Sequence, residues 1–189
     1  MKGMDLLSWD LRYRARTEDD LAAAPTPLVV DTARRLKPGR CLDLACGVGR
    51  NALWLAEAGW QVTAVDGASA AIEVLNLRAA KAGLDIQTEV ADLKAGYEIV
   101  PQFWDLITIC YYLQRDLLKP AANGVTPGGL LLVIAHLVEN GEQANENRLW
   151  PGELRRYFSG WEILHDFEGR PNDPAHKRFA AEIVVRRPR

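Results

Sequence analysis

Two glycines, Gly47 and Gly49, stand between a short apolar run and a helix pattern, and that junction narrows what the chain can fold into. The run before them, residues 41–45, is broken only by Asp43, while residues 51–58 carry helical spacing and stop at Gly59. Glycine just past a helix end is a common terminator. Glycine between a strand and a helix lets the backbone turn tightly and come close to a ligand. A G-x-G pair alone is a weak signal, because a plain strand-to-helix turn uses the same residues.

The rest of the chain supplies the context. Pro25-Thr26-Pro27 is a stiff turn between a segment over residues 6–24 and a helix running toward Lys37, which Pro38-Gly39 ends. Residues 61–65 read as a second strand, 69–82 as a helix stopped by Gly83, 86–90 as a third strand and 104–110 as a fourth. Pro127-Gly128-Gly129 reads as a turn, and residues 130–135 as a fifth strand with both faces apolar. Strand alternating with helix predicts an α/β fold, a Rossmann-like doubly wound sheet, mostly parallel, with helices on both faces. The tail departs from this rhythm. Residues 151–158 suggest a short helix with Pro151 in its first turn, and 161–167 and 179–185 are two strands without a full helix pattern between them. They predict an antiparallel C-terminal strand, seven strands in all.

At 189 residues the chain is expected to form one domain over 1–189, with 38–189 as the Rossmann-like core and 1–24 as a lid or an extra helix. A formal net charge of −2 gives no basic face for a nucleic acid. The longest apolar run, residues 130–135, is too short to span a bilayer, so no membrane partner is expected. The first ten residues carry Asp5 and Asp10 and no long apolar run, so no signal peptide is expected. The three cysteines, Cys41, Cys46 and Cys110, match no zinc spacing, so no metal site is expected and a reduced, cytoplasmic protein is. Oligomeric state is not legible.

Three acids turn the glycine pair into a candidate site. Asp66 closes the second strand 17 residues after Gly49, where a carboxylate can accept both ribose hydroxyls of an adenosine cofactor. Asp92 closes the third strand, placed for an adenine amine, with the Leu93 amide beside it as a donor to the ring. Asp43 lies inside the apolar first strand, where a carboxylate is costly without a partner. A sulfonium cofactor such as S-adenosylmethionine would favour acids there. Each acid alone also reads as a turn or helix cap. The rival is a nicotinamide-binding oxidoreductase, but the third glycine of G-x-G-x-x-G is replaced by Ala52, and Asp43 would oppose a pyrophosphate.

The run Leu42-Asp43-Leu44-Ala45-Cys46-Gly47-Val48-Gly49-Arg50-Asn51-Ala52 resembles motif I of class I S-adenosylmethionine-dependent methyltransferases. Its Gly-Arg-Asn ending, the stretch Gly152-Glu153-Leu154-Arg155-Arg156-Tyr157-Phe158-Ser159-Gly160-Trp161-Glu162, and Arg178-Phe179-Ala180 resemble the tellurite-resistance methyltransferase family. The resemblance implies transfer of a methyl group from S-adenosylmethionine to a small acceptor, a metalloid oxyanion such as tellurite or selenite, or a related small molecule. It implies that the backbone of Ala45, Cys46, Gly47 and Gly49 holds the methionine end of the cofactor, with Asp43, Arg50 and Asn51 in the same loop. Asp66 and Gly67 would hold the ribose, Asp92 and Leu93 the adenine, and residues from Ile109 to Tyr111 would flank the transferring methyl. Members of that family carry a His-Arg pair and a further arginine between the last two strands. Here that loop, residues 168–177, is shorter and offers Arg170 and His176.

The acceptor-side candidates are Tyr111, Arg115 and His176. Tyr111 reads as a pocket wall or as packing on the next helix. Arg115 reads as an anion partner or a solvated surface arginine, and His176, like Arg170, as a loop ligand or an exposed side chain. His136 ends the fifth strand and reads as pocket or structure, while His165 reads as structural or surface. Cys46 is a reactive thiol at a helix start or a small residue in a tight loop. The segment with Trp9, Asp10, Arg12, Tyr13 and Arg14 reads as a cofactor lid or an added helix. Besides the oxidoreductase, a non-catalytic S-adenosylmethionine-binding module is the remaining alternative.

Overall fold

The computed structural model describes residues 5–15, 23–139 and 145–189. Among them the elements run α1 (Leu6–Arg14), α2 (Pro27–Ala33), β1 (Arg40–Leu44), α3 (Arg50–Glu57), β2 (Gln61–Asp66), α4 (Ser69–Ala82) and β3 (Ile86–Val90). After a 3-10 turn (Leu93–Ala95) come β4 (Trp104–Cys110), α5 (Arg115–Gly124), β5 (Val125–His136), α6 (Glu153–Arg156), β6 (Glu162–Gly169) and β7 (Ala180–Arg186). The strands form one seven-stranded sheet in the order β3-β2-β1-β4-β5-β7-β6. The chain divides into two compact units, the first ending at Tyr97 and the second covering Glu98–Arg189.

In the first unit β1, β2 and β3 are parallel, with Asp43 opposite Ala64 and Asp66 opposite Val90. Parallel strands need crossover connections, and α3 and α4 provide them. Each helix buries one stripe: Asn51, Ala52 and Leu55 on α3, and Ala70, Ala71, Ile72, Leu75 and Ala79 on α4. Ala52 is fully buried, so the position where a dinucleotide fold would carry its third glycine is filled by a methyl group. Gly83 ends α4 in a left-handed conformation, its N–H bonded to the carbonyls of Ala79 and Ala80.

The N-terminal helix α1 begins at Asp5, whose carboxylate accepts the Ser8 N–H at 2.8 Å. None of its residues is fully buried. Trp9 and Tyr13 nevertheless pack on Val48, Ala68 and Ala71, so the helix lies across the glycine loop and the start of α4. Residues 16–22, the later part of the segment expected over 6–24, lie outside the described residues.

In the second unit β4 and β5 are parallel, and β7 lies antiparallel between β5 and β6. The core of the pairing is apolar: Leu131, Leu132 and Val133 on β5 lie opposite Val185, Val184 and Ile183 on β7, all buried. Pro127-Gly128-Gly129, expected as a turn before the strand, instead lies within β5. The β4–β5 register slips between Trp104 and Leu106, and Gly128 takes φ +82°, so the strand absorbs the proline as an irregularity. Pro151 precedes α6, which starts after a left-handed Gly152. Among the described residues, no helix is long and apolar enough to cross a membrane.

Candidate active site

Three of the five residues from Ala45 to Gly49 take left-handed backbone angles: Ala45 at φ +56°, Gly47 at +55° and Gly49 at +79°. Two of these positions also lack room for a side chain. A Cβ on Gly47 would lie 2.9 Å from the Tyr13 hydroxyl, and one on Gly49 would lie 2.2 Å from Leu75 Cδ1. Glycine at both positions is therefore favoured by the backbone and by the packing of α1 and α4 against the loop, most strongly at Gly49.

Asp66, at the carboxyl end of β2, fixes this loop. Its Oδ2 accepts the Gly47 N–H at 2.8 Å and its Oδ1 the Ala68 N–H at 2.9 Å. Burial pushes the Asp66 pKa up, and the amides of Ala68, Gly47 and Gly67 counter that by favouring the ionised form. Each oxygen retains capacity for a further hydrogen bond, as a ribose hydroxyl would require. The end of β3 is tied to the same point, since the Asp66 carbonyl accepts the Ala91 N–H at 3.0 Å. Asp92 follows and caps the 3-10 turn, accepting the Lys94 N–H at 2.9 Å, and Leu93 beside it is buried. Gly67 packs against Leu6, 2.4 Å from where its Cβ would lie.

The loop's electrostatics select the sign of a ligand. Asp43 is buried in β1. Burial, then the charges of Asp43 and Asp66, hold the Cys46 thiol well above its ordinary pKa. A loop that sits within the field of two carboxylates suits a cationic cofactor and repels a pyrophosphate. Arg78 reaches the loop, but its guanidinium donates to the Val48 carbonyl at 2.8 Å. Arg50 and Asn51 serve the neighbouring turn. Arg50 donates to the Thr26 hydroxyl at 2.8 Å, and the Asn51 side chain accepts the Thr26 N–H at 2.9 Å. The residues of this unit thus fit S-adenosylmethionine in charge and in acceptor placement.

The second unit carries the acceptor-side candidates. Ile109 is buried in β4. Tyr111 follows at φ +58°, unusual for a bulky residue, and its N–H is bonded to the Ile134 carbonyl at 2.7 Å. Its ring stacks on His176 with centroids 3.3 Å apart and planes 3° from parallel. His136, at the end of β5, lies 5.4 Å from Tyr111 and 5.6 Å from His176, tilted to both. Asp173 organises this cluster. It is buried, accepts the Tyr111 hydroxyl at 3.0 Å and the Ala175 N–H at 3.0 Å, and its carbonyl accepts the His176 N–H at 2.9 Å. Sequence reasoning missed Asp173. Its one signal, an Asp before Pro174, reads as an ordinary loop. Burial pushes the His136 pKa down, with the charges of Arg178 and Arg148 acting the same way.

Arg115 does not join the cluster. Its guanidinium is bound to Glu153 at 2.6 and 3.1 Å and to the carbonyls of Arg148 at 2.8 Å and Glu146 at 3.1 Å, anchoring the start of α5 to α6. Arg170 lies over the Phe179 ring at 5.6 Å. His165 pairs with Glu182 at 3.1 Å.

Residues 20–172 match the family model described as tellurite resistance protein TehB. The chain belongs to the TehB family. A probable S-adenosyl-L-methionine-dependent methyltransferase TehB of Haemophilus influenzae is 30% identical over 146 residues, 72% of this chain and 50% of that protein. The crystal structure of TehB from Haemophilus influenzae superposes with a TM-score of 0.72 at 28% identity, covering 84% of this chain and 61% of that one. A ubiquinone biosynthesis O-methyltransferase of Burkholderia ambifaria is 24% identical over 176 residues, 80% of this chain and 76% of that protein. The chain spans about half the length of the curated TehB relatives it matches. The TehB match covers the glycine loop, Asp66, Asp92 and Tyr111, and it stops just before Asp173 and His176.

Proposed function

We propose that this chain is an S-adenosylmethionine-dependent methyltransferase whose acceptor is a small nucleophile, with tellurite and selenite as the first candidates and small organic thiols or hydroxyls next. The observation that carries the reading is the buried Asp66 bonded to the Gly47 amide, in a loop that also lies in the field of Asp43. This arrangement offers carboxylate acceptors to a nucleoside and a negative field to a sulfonium. Membership of the TehB family supports it. So does the similarity to the probable S-adenosyl-L-methionine-dependent methyltransferase of Haemophilus influenzae.

When bound, S-adenosylmethionine supplies a methyl carbon activated by its sulfonium. The chain's own part is to hold the reactants in line and keep water away. The Ala45–Gly49 backbone takes the methionine end, Asp66 and Gly67 the ribose, and Asp92 and Leu93 the adenine. On the acceptor side Tyr111 and His176 form a flat wall whose position Asp173 fixes. An anionic acceptor needs no base. A hydroxyl acceptor must lose a proton, and the imidazoles of His136 and His176 are the candidate proton acceptors in that cluster. Residues 1–189 work in this reading as one methyltransferase domain, in a reducing cytoplasmic setting that suits three free thiols.

The test is purified protein with S-adenosylmethionine and tellurite, selenite or small thiols in turn, reading S-adenosylhomocysteine and headspace methylated product. Turnover with any acceptor supports the reading. Tight nicotinamide binding without S-adenosylmethionine binding overturns it, and cofactor binding without turnover on any acceptor reduces the chain to a binding module.

A further inference from the structure

Helix α4 has no cap of its own. Its N-cap residue is Ala68, which offers no side-chain acceptor to the first-turn amides. The missing acceptor comes from α1, about 60 residues upstream: Asp10 Oδ1 accepts the Ala70 N–H at 2.8 Å and the Ser69 hydroxyl at 3.2 Å. Asp10 Oδ2 is held in turn by Arg14 Nε at 3.0 Å. One carboxylate thus clamps α1 onto the start of α4, in the chain segment directly after Asp66.

That clamp sets the position of Tyr13, one turn along the same helix. Trp9 stacks on the Tyr13 ring at 5.9 Å, and both lie against Val48, Ala68 and Ala71. The ring points hydroxyl-first at the glycine loop. A Cβ on Gly47 would meet the oxygen at 2.9 Å, ahead of the ring carbons at 3.6 and 3.7 Å. The contact is with the polar tip, at the centre of the loop assigned to the methionine end of the cofactor. That end of S-adenosylmethionine carries a carboxylate, and the loop's own acids, Asp43 and Asp66, cannot serve it. A neutral phenol can donate to it without disturbing the field that favours the sulfonium.

We propose that Tyr13 is a cofactor-binding residue whose hydroxyl donates to the amino-acid end of S-adenosylmethionine, and that Asp10 is the positioning residue that docks α1 for this contact. The inference rests on the cofactor reading given above. It also accounts for the character of α1. The helix leaves Leu7 and Leu11 70% and 60% exposed and buries no residue fully, so it is held by a small set of contacts: the Asp10 clamp, the Trp9–Tyr13 face, Leu6 against Gly67 and the Arg14–Glu73 pair. Bound cofactor and docked helix therefore stabilise each other, and the coupling is reciprocal.

The experiment is calorimetric titration of the full chain with S-adenosylmethionine and, separately, with 5′-methylthioadenosine, which keeps the nucleoside and lacks the amino-acid end. Tyr13→Phe retains the ring and its packing. The expected result is a loss of about tenfold or more in S-adenosylmethionine affinity, as for a hydrogen bond to a charged group, with methylthioadenosine affinity unchanged. Equal affinity of wild type and Tyr13→Phe for S-adenosylmethionine overturns the proposal, as does an equal loss for both ligands, which would mark a structural effect on the loop. Wild type that binds neither ligand defeats the cofactor reading itself. Hydrogen exchange of the wild-type chain gives an independent readout. S-adenosylmethionine should slow exchange of the α1 amides more than methylthioadenosine does, and equal protection by the two counts against the contact.

Discussion

Asp66 and Gly47, 19 residues apart in sequence, are joined by a backbone-to-carboxylate hydrogen bond of 2.8 Å that ties the end of β2 to the turn after β1. The same carboxylate holds the Ala68 N–H. Asp66→Ala removes both acceptors and leaves two buried donors without partners. The expected outcome is a loss of roughly 1–3 kcal/mol in unfolding free energy, and a loss of about 1–3 kcal/mol in S-adenosylmethionine affinity as the ribose acceptor disappears. Denaturant titration reads the first and calorimetry the second. Unchanged cofactor affinity would leave Asp66 as a loop brace only.

Gly49 tests the packing side of the loop. A methyl group there would overlap Leu75 Cδ1 at 2.2 Å on a backbone at φ +79°. Gly49→Ala should therefore lower stability by about 2–4 kcal/mol, from overpacking and left-handed strain together. Trimming Leu75 to Ala in the same chain removes the clash. The double variant should be more stable than the sum of the two single losses predicts, and a double-mutant cycle measures that coupling. Simple additivity would show that strain at φ, and not the contact with α4, is the whole effect.

Much of this geometry is legible in the sequence. Strand 86–90 shows because apolar and polar residues alternate along it, and Gly83 marks the end of α4 because left-handed caps favour glycine. Asp66 and Asp92 are visible because acids at strand ends interrupt apolar runs. What escapes is what depends on contacts distant in sequence. Asp10 caps a helix about 60 residues away, so no local motif announces it. Asp173 sits before a proline in a polar loop and gains meaning only when Tyr111 meets it. Pro127-Gly128-Gly129 reads as a turn, yet the strand accommodates it by a register shift. Arg115 reads equally as a ligand or a surface group until Glu153 is beside it.

The Arg115–Glu153 contact separates anchoring from acceptor binding. Both partners are partly shielded, and Glu153 also accepts the Trp150 N–H at 2.9 Å, so the pair organises the approach to α6. Arg115→Ala is expected to lower stability by about 1–2 kcal/mol, since two backbone carbonyls and a carboxylate lose their donor. In an assay with tellurite, KM should stay within about twofold of wild type once the folded fraction is corrected, because those donors are already committed. A large rise in KM with unchanged stability would instead return Arg115 to the acceptor site.

His136 gives the chain a pH dependence whose sign is fixed by its surroundings. Burial lowers its pKa from the ordinary 6.5, Arg178 and Arg148 push the same way, and the Phe179 backbone and Glu139 act against them. Well above pH 6.5 the ring is neutral in both folded and unfolded chains and contributes no slope. As pH falls below that value the unfolded chain takes up the proton first, so folding loses stability until the folded pKa is passed. One proton sets the limit at about 1.4 kcal/mol per pH unit. Unfolding free energies at pH 7.5, 6.0 and 5.0 for wild type and His136→Asn isolate this contribution (roughly neutral, mildly acidic and acidic conditions). The wild type should lose stability on acidification more steeply than the variant. Parallel curves would mean that the ring is protonated as easily in the folded chain as in the unfolded one, and the cluster around it would then gain a positive charge as pH falls through 6.5.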